Sequence, residues 1–281
     1  MIKLNKLQKN YKDFSLDVTM EIPAGTVTGL VGRNGAGKTT VIKAILGLIR
    51  TDGGEITVFG KNPRELTAHD KEALSAVLYD SWFPLTFRAK DIACVLRKMY
   101  PSFDETRFFD LCKRFEVPVD KRLEKLSSGM RAKLHVLSAI CHNAKLLVLD
   151  EPTVGLDVVA RNDILDMLRE YLAQDSERSL LITSHISTDL ESLCDNFYVI
   201  DHGTVLLHED TDTLLGQYGI IKGSVADIDA LDQSFIMAKQ ARPYGYDCLT
   251  NEKQYYLDNY PNLIVEPGTL DGAMMILLGG Q

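Results

Sequence analysis

A glycine-rich segment at residues 32–39 carries the pattern Gly-x-x-x-x-Gly-Lys-Thr, which is typical of a loop that wraps phosphates. Glycines let backbone N–H groups approach phosphate oxygens closely, and a helix that begins at the loop adds partial positive charge. Lys38 can serve as a point charge for the β- and γ-phosphates, and the Thr39 hydroxyl suits Mg²⁺. A chance glycine turn is a poor alternative, because a strand precedes the loop and a helix follows it. The residues that we expect to bind the nucleotide here are Asn34, Gly35, Ala36, Gly37, Lys38, Thr39 and Thr40.

Two acids in succession, Asp150 and Glu151, follow an apolar run at residues 146–149. The position of Asp150 at a strand end suits the coordination shell of Mg²⁺, and Glu151 suits the base that orients or deprotonates an attacking water. Acids also end strands as turn formers or helix caps. Two acids before Pro152, in a chain with a phosphate loop, favour the chemical interpretation and predict hydrolysis of the bound nucleotide.

Strand and helix patterns alternate over the first 215 residues, which predicts an α/β fold with a mostly parallel sheet. Strict alternation of apolar residues from 14 to 22 predicts a half-buried strand in an N-terminal antiparallel β subdomain. Short apolar runs, typical of strands covered on both faces, predict the central sheet. These runs occur at residues 26–31, 146–149, 180–183 and 197–200.

Residues from about 81 to 143 form helical segments punctuated by prolines, and we expect them to make a helical subdomain within a nucleotide-binding domain at residues 1–215. The pattern weakens after Gly216. Short alternating pieces and a helical stretch near residues 234–241 predict a small C-terminal α+β appendage at residues 216–281.

Composition excludes several classes of protein. The net charge of the 281-residue chain is −8 and its Lys and Arg residues form no continuous stripe, so we expect no nucleic-acid partner. The longest apolar stretch, residues 273–278, is far shorter than the roughly 20 residues that cross a bilayer. Five separated cysteines without a CxxC pair indicate a reducing cytoplasm.

The segment Leu126-Ser127-Ser128-Gly129-Met130 is similar to the LSGGQ signature of ATP-binding cassette (ABC) proteins, with Ser128 and Met130 departing from it. Together with the loop and the acid pair, it makes residues 1 to about 215 resemble the nucleotide-binding subunit of an ABC transporter. The resemblance implies that Ser127, Ser128 and Gly129 cover an ATP held by the phosphate loop of a second, identical or related, nucleotide-binding subunit.

Other elements of that family follow in order along the chain. Tyr11 resembles the aromatic residue that stacks on adenine, although a tyrosine before a strand also has a purely structural explanation. Residues 154–157 resemble the D-loop, through which two subunits touch near the nucleotides. His185 follows a buried strand and resembles the switch histidine that contacts the γ-phosphate, so we group it with Glu151 as catalytic.

One departure concerns the glutamine that the family usually has after its second major strand. The matching position in this chain is Asp80. A carboxylate can still bind Mg²⁺, though it adds negative charge and has a shorter reach. We therefore expect Thr39, Asp150 and Asp80 as candidate ligands of Mg²⁺.

The resemblance implies that the chain powers a membrane transporter by MgATP-driven dimer closure. It would then lie on the inner face of the cell membrane, bound to an integral permease subunit. Residues 266–271, before the apolar residues 273–278, resemble the ending of bacterial ABC-2 type exporter subunits and favour export. Trp82 and Phe83 belong to an aromatic cluster that either fills the helical subdomain or grips a permease helix.

Two other functions remain open at this stage. One is a soluble ABC protein acting on ribosomes or DNA, although the paired cassettes, coiled-coil arms and basic extensions of such proteins are not evident. The other is a regulatory cassette that binds ATP without turnover, which Asp80 and the altered signature keep open.

Overall fold

The computed structural model describes residues 1–79 and 83–279. Asp80 and Trp82 therefore lie outside the described residues. The strands, in chain order, are β1 (Ile2–Asn10), β2 (Ser15–Ile22), β3 (Val27–Val31), β4 (Gly53–Val58), β5 (Leu74–Val77), β6 (Leu146–Asp150), β7 (Ser179–Thr183), β8 (Asn196–Asp201), β9 (Thr204–Asp210), β10 (Gly219–Gly223), β11 (Ile236–Arg242), β12 (Gly245–Thr250) and β13 (Ile264–Pro267). The α-helices are α1 (Lys38–Ile45), α2 (Ala68–Glu72), α3 (Ala89–Met99), α4 (Glu105–Arg114), α5 (Ser128–Ile140), α6 (Val158–Leu172), α7 (Ser187–Glu191), α8 (Thr211–Gln217), α9 (Val225–Asp229), α10 (Lys253–Asn259) and α11 (Leu270–Gly279).

The central sheet has the strand order β5-β6-β7-β3-β8-β9 and is parallel except for β9, which pairs antiparallel with β8. Every residue of β3, β6, β7 and β8 is buried, because these apolar strands are covered on both faces. The carboxyl ends of parallel strands meet at one edge, where loops gather. This confirms the α/β fold with a mostly parallel sheet.

A second sheet, in the order β2-β1-β4, is antiparallel and confirms the N-terminal β subdomain. Strand β1 was not among the predicted strands. Its apolar alternation breaks between Leu4 and Leu7, where the pairing register with β2 shifts. Lys6, inside the shift, has φ 46°, a left-handed conformation that ends the period of two.

Helices α3, α4 and α5 form the helical subdomain. Their buried side chains belong to the main core cluster, together with side chains on one face of β6 and β7. Phe83 packs against this core, with its ring edge-on to His135 at 5.8 Å between centroids. The core interpretation of the aromatic cluster therefore holds for Phe83. Leu85, by contrast, is 48% exposed.

The C-terminal strands form a third sheet, antiparallel, in the order β11-β12-β10-β13. The expected helical stretch near residues 234–241 is wrong, because residues Ile236–Arg242 form β11. Its side chains alternate between half-buried and exposed, which is the pattern of an edge strand, and it pairs with β12. A small core of its own contains Ile221, Cys248 and Tyr256. Whether residues 1–215 and 216–281 are separate domains stays a prediction.

Among residues 1–79 and 83–279, no helix has the length and apolar character needed to cross a membrane.

Two histidines stack on tyrosines, and comparing the buried one with the exposed one tests how burial of an imidazole affects stability. His142 lies on Tyr100 with 4.0 Å between ring centroids and is 2% exposed, and burial lowers its pKa to about 4 from 6.5. His208 lies on Tyr198 at 3.9 Å but is exposed. Since the unfolded chain binds a proton at His142 more readily, the free energy of unfolding falls as pH drops from 6.5 towards 4.

We expect His142→Phe to remove part of that pH dependence, by about 3 kcal/mol at most between those limits. His208→Phe, the matched exposed variant, should keep the wild-type slope. Urea unfolding at a series of pH values measures both. Equal slopes for the two variants would show that His142 does not contribute.

Candidate functional site

The phosphate loop joins β3 to α1 at the carboxyl edge of the central sheet. A side chain at Gly32 would place its Cβ only 2.2 Å from the carbonyl oxygen of Ile200, so the loop can lie against β8 only with glycine there. Gly37 has φ 115°, a conformation that side chains rarely adopt. The glycines of the motif thus allow the sharp entry into α1, whose first N–H groups face the loop.

Lys38 begins α1 and folds back over the loop. Its side chain is only 6% exposed, and its ammonium donates to the carbonyl oxygens of Gly32 at 2.8 Å and Arg33 at 3.3 Å. The same nitrogen lies 3.5 Å from Oε1 of Glu151. A buried cation needs such partners, and it brings positive charge to the position where phosphates would lie.

Asp150 ends β6 and is 2% exposed. Each of its carboxylate oxygens accepts a hydrogen bond from a threonine hydroxyl. Thr39 Oγ1 donates to Oδ2 at 3.0 Å, and Thr183 Oγ1 donates to Oδ1 at 2.7 Å. Thr183 and Asp150 are register partners on neighbouring parallel strands. Thr183 was not predicted as a site residue, because its place opposite Asp150 depends on the strand register, which short sequence patterns do not give.

The donor set of Thr39 and Asp150 fits Mg²⁺, which takes oxygen ligands and keeps several waters or phosphate oxygens in its shell. Within the described part of the chain, no group of three or more His, Cys, Asp and Glu side chains is placed to hold a metal. A single carboxylate with a hydroxyl is the kind of site that Mg²⁺ shares with a nucleotide.

Glu151 follows Asp150 in a left-handed backbone conformation, with φ 52°. Its N–H group donates to the Thr183 hydroxyl at 2.9 Å, which helps to hold this strained turn. The carboxylate is mostly buried, and its Oε2 lies 2.7 Å from Nδ1 of His185, whose own side chain is 48% exposed. One oxygen of Glu151 therefore contacts the histidine and the other faces Lys38.

These side chains surround an open cavity of about 830 Å³, a volume suited to a nucleotide. Tyr11 lies at its edge, 49% exposed, with its ring centroid 6.3 Å from that of Phe14. The expected site residues that line the cavity are Tyr11, Asn34, Gly35, Gly37, Lys38, Thr39, Thr40, Asp150, Glu151 and His185. Ala36 is buried instead, and its N–H donates to the carbonyl of Arg33 at 3.1 Å. Met274, from α11, lines the cavity and was not predicted.

The signature residues Ser127, Ser128 and Gly129 do not line this cavity. Ser127 caps α5, accepting a hydrogen bond from the N–H of Met130 at 3.2 Å. Ser128 lines a second cavity of about 530 Å³, between α5 and the turn after β6. Within one chain, the expected site residues thus fall into two groups.

Gly129 holds the signature against the D-loop segment. A Cβ at Gly129 would lie 2.9 Å from the Cβ of Ala160, which is closer than real side chains approach. Asp157 in turn caps α6, because its Oδ1 accepts from the N–H of Ala160 at 2.8 Å. The starts of α5 and α6 are therefore in direct contact, and the signature and D-loop form one unit.

A phosphate loop with a buried lysine, beside a strand-end Asp-Glu pair and a histidine that follows the neighbouring strand, defines a P-loop nucleoside triphosphatase. The sequence profile of ABC transporters matches residues 16–154. The ABC transporter ATP-binding protein YtrB of Bacillus subtilis (strain 168) is 32% identical over 222 residues, which are 78% of this chain and 75% of that protein. The chain belongs to the ABC transporter family, as an ATP-binding subunit that is an ATPase and powers a transporter.

Two further comparisons extend this result. The linearmycin resistance ATP-binding protein LnrL of B. subtilis (strain 168) is 28% identical over 272 residues, covering 92% of this chain and 85% of that protein. A solved dimer of the ATP-binding cassette MJ0796, in a post-hydrolysis state with ADP and phosphate, has a TM-score of 0.66 at 19% identity. It covers 75% of this chain and 99% of that one, and it shows the shared fold.

The close approach of Gly129 to Ala160 leaves no room for a larger side chain at residue 129. Gly129→Ala should lower the free energy of unfolding by about 1–3 kcal/mol through overpacking, although alanine is the better helix former. In the double variant Gly129→Ala/Ala160→Gly the clash is relieved, so part of that loss should be recovered. Urea unfolding of the four proteins of this cycle measures the coupling, and strictly additive effects would contradict the contact.

Proposed function

We propose that the cavity binds MgATP and hydrolyses its γ-phosphate with Glu151 as the base. The observation that carries this proposal is the position of the Glu151 carboxylate, between Nζ of Lys38 at 3.5 Å and Nδ1 of His185 at 2.7 Å. A base must lie beside the reacting phosphate, and the lysine that neutralises that phosphate lies beside this carboxylate. Tyr11, at the cavity edge, would stack on adenine.

In the proposed reaction the backbone N–H groups of the loop and Lys38 hold the β- and γ-phosphates. With Nδ1 protonated, His185 donates to Oε2 of Glu151 and fixes the carboxylate. Oε1, which faces Lys38, accepts a proton from the attacking water, whose oxygen bonds to the γ-phosphorus as the bond to the β-phosphate oxygen breaks and ADP leaves. His185 lies at the exposed side of the cavity, where its ring can reach the γ-phosphate. Mg²⁺, held by Thr39 and Asp150, would neutralise charge on the phosphates.

Asp80 stays a proposed third ligand of Mg²⁺. Its carboxylate stands at the position where the family has a glutamine, and it lies outside the described residues. Its proposed role rests on the sequence alone.

The site is completed, we infer, by a second nucleotide-binding subunit, identical or related. Gly129 is held against α6, and none of the signature residues Ser127, Ser128 and Gly129 lines the cavity at their own chain's phosphate loop. In a head-to-tail pair they would instead cover the ATP of the partner, so that closure assembles both sites. Since phosphoryl transfer depends on positioning and charge neutralisation, this assembly can itself switch on hydrolysis.

The membrane partner is an integral permease subunit, which would place the chain on the inner face of the cell membrane. Export is the direction that we favour. The match to LnrL, a linearmycin resistance protein, spans 92% of this chain and so extends into the C-terminal region. That region contains the segment at residues 266–271 on which the sequence resemblance to ABC-2 exporters rests.

Glu151→Gln should reduce ATP turnover about 100-fold or more, because an amide cannot accept the proton from water. The amide keeps the size of the carboxylate, so nucleotide binding should persist and an ATP-bound dimer should accumulate. Phosphate release and size-exclusion chromatography with MgATP measure the two effects. Glu177→Gln, which removes an exposed carboxylate paired with Lys145, is the control. Normal turnover in Glu151→Gln would remove Glu151 from the mechanism.

Lys38→Ala separates binding from chemistry. Without the ammonium, the loop loses its charge for the phosphates, and affinity for MgATP itself should fall. Equilibrium titration with a fluorescent ATP analogue measures this loss. Retained affinity together with retained turnover would contradict the assignment of the cavity.

Purification of the tagged full-length chain from its host tests the partner. We expect it in detergent-solubilised membranes together with a permease, and we expect MgATP to change the stability of that complex. Recovery with ribosomes or DNA would favour the soluble alternative. Binding of ATP without any turnover in the complete complex would favour the regulatory alternative.

A further inference from the structure

The last helix, α11, is bonded at both ends to elements of the nucleotide site. At its start, the N–H of Leu270 donates to Oε1 of Glu191 at 2.5 Å. At its end, the carbonyl oxygen of Leu278 accepts a hydrogen bond from the guanidinium of Arg33, 245 residues away in sequence. Arg33 belongs to the phosphate loop, and Glu191 ends α7, which begins two residues after His185. Helix α11 therefore spans from the loop to the segment that carries the histidine.

The charges at the two ends match the helix dipole. The first N–H groups of a helix and its last carbonyl groups have no partners within the helix, and they carry partial positive and negative charge respectively. Here a carboxylate meets the start of α11 and a guanidinium meets its end. Both contacts are therefore favourable, and each fixes α11 to a different part of the site.

The middle of α11 also reaches the site. Leu270, Ala273 and Ile276 are buried in the main core cluster, which contains residues of both the nucleotide-binding part and the C-terminal sheet. Met274 lines the nucleotide cavity, as Arg33 does. The next residue, Met275, is 52% exposed and lines a different cavity, of about 460 Å³, in the C-terminal sheet.

We propose that α11 is a structural part of the nucleotide site, in which Met274 contacts the bound nucleotide and the two end contacts hold the phosphate loop and α7 in their binding geometry. The inference rests on the proposed function of the cavity. Arg33 connects the two, because its guanidinium bonds α11 while its carbonyl oxygen accepts from Lys38 Nζ at 3.3 Å. A loop that is held in place before binding loses less freedom when the phosphates arrive, so α11 raises the affinity for MgATP.

By thermodynamic linkage, bound nucleotide must also affect the docking of α11. If docked α11 strengthens nucleotide binding, bound nucleotide must strengthen the docking of α11 by the same factor. The C-terminal region would then respond to the nucleotide state through α11.

Met274→Ala and Met275→Ala form a matched pair of variants, with the same chemical change on adjacent residues. Titration of each full-length protein with a fluorescent ATP analogue and Mg²⁺ should show about three- to tenfold weaker binding for Met274→Ala, through loss of thioether contacts and a looser wall. Met275→Ala should bind as the wild type does. Equal affinities in the two variants would overturn the direct contact.

Substitutions at Glu191 test the contact at the start of α11. Glu191→Ala removes the acceptor for the Leu270 N–H group, whereas Glu191→Gln keeps an acceptor and removes only the charge. We expect weaker MgATP binding in Glu191→Ala and partial recovery in Glu191→Gln. Tighter binding in Glu191→Ala would show that α11 restrains the site instead of supporting it, and would overturn the proposal.

If Glu191→Ala fails to fold, hydrogen exchange of the wild-type chain measures the coupling between α11 and the nucleotide site directly. With MgATP, amides of residues 273–278 should exchange more slowly, together with those of the phosphate loop. Protection of the loop with no change in α11 would refute the proposed coupling while leaving the ATP site intact. If no segment is protected and no analogue binds, the proposed function itself fails, so the two failures are distinguishable.

Discussion

The rest of the site depends on the hydrogen bonds that the buried carboxylate of Asp150 accepts from two hydroxyl groups. A buried charge is costly unless it is hydrogen-bonded, so Asp150 can end β6 in the core only because Thr39 and Thr183 donate to it. Those two bonds connect the first turn of α1, the end of β6 and the end of β7. The turn at Glu151 uses the same threonine hydroxyl, since Thr183 also accepts from the Glu151 N–H group. Phosphate loop, acid pair and histidine segment are thus one hydrogen-bonded assembly.

Much of this assembly could be predicted because its signals are local. The loop motif, the apolar strand before Asp150 and the strand before His185 each occupy a short stretch, and parallel strands bring their ends to one edge. Thr183 required the strand register, which short patterns do not give. Strand β1 was missed because a bulge at Lys6 interrupts its alternation. Residues near 234–241 were predicted to be helical because a half-buried edge strand with few β-branched residues, which β11 is, resembles a helix in a short window.

The contact of Gly129 with Ala160 gives the signature its place in the chain. The starts of α5 and α6 approach so closely that a methyl group cannot enter between them, and Asp157 caps α6 at the same point. A displacement of the signature would therefore displace the D-loop segment as well. Helix α6 is also joined to α7, because Arg161 pairs with Asp189 at 3.0 Å, and Asp189 accepts from Thr153 at 2.9 Å. Packing and hydrogen-bonded ion pairs consequently connect the signature, through α6, to the helix that follows His185.

The C-terminal region has no comparable local signal, and the reason is physical. Leu278 and Arg33 meet through chain topology, across a separation that no pattern of neighbouring residues encodes. The strands β10 to β13 keep a small core of their own, yet Ile220 of β10, Leu249 of β12 and the buried side chains of α11 belong to the main core. An element that shares its core with the nucleotide site cannot move independently of that site. For this reason the last helix connects the ATP-binding part of the chain with the sheet that precedes it.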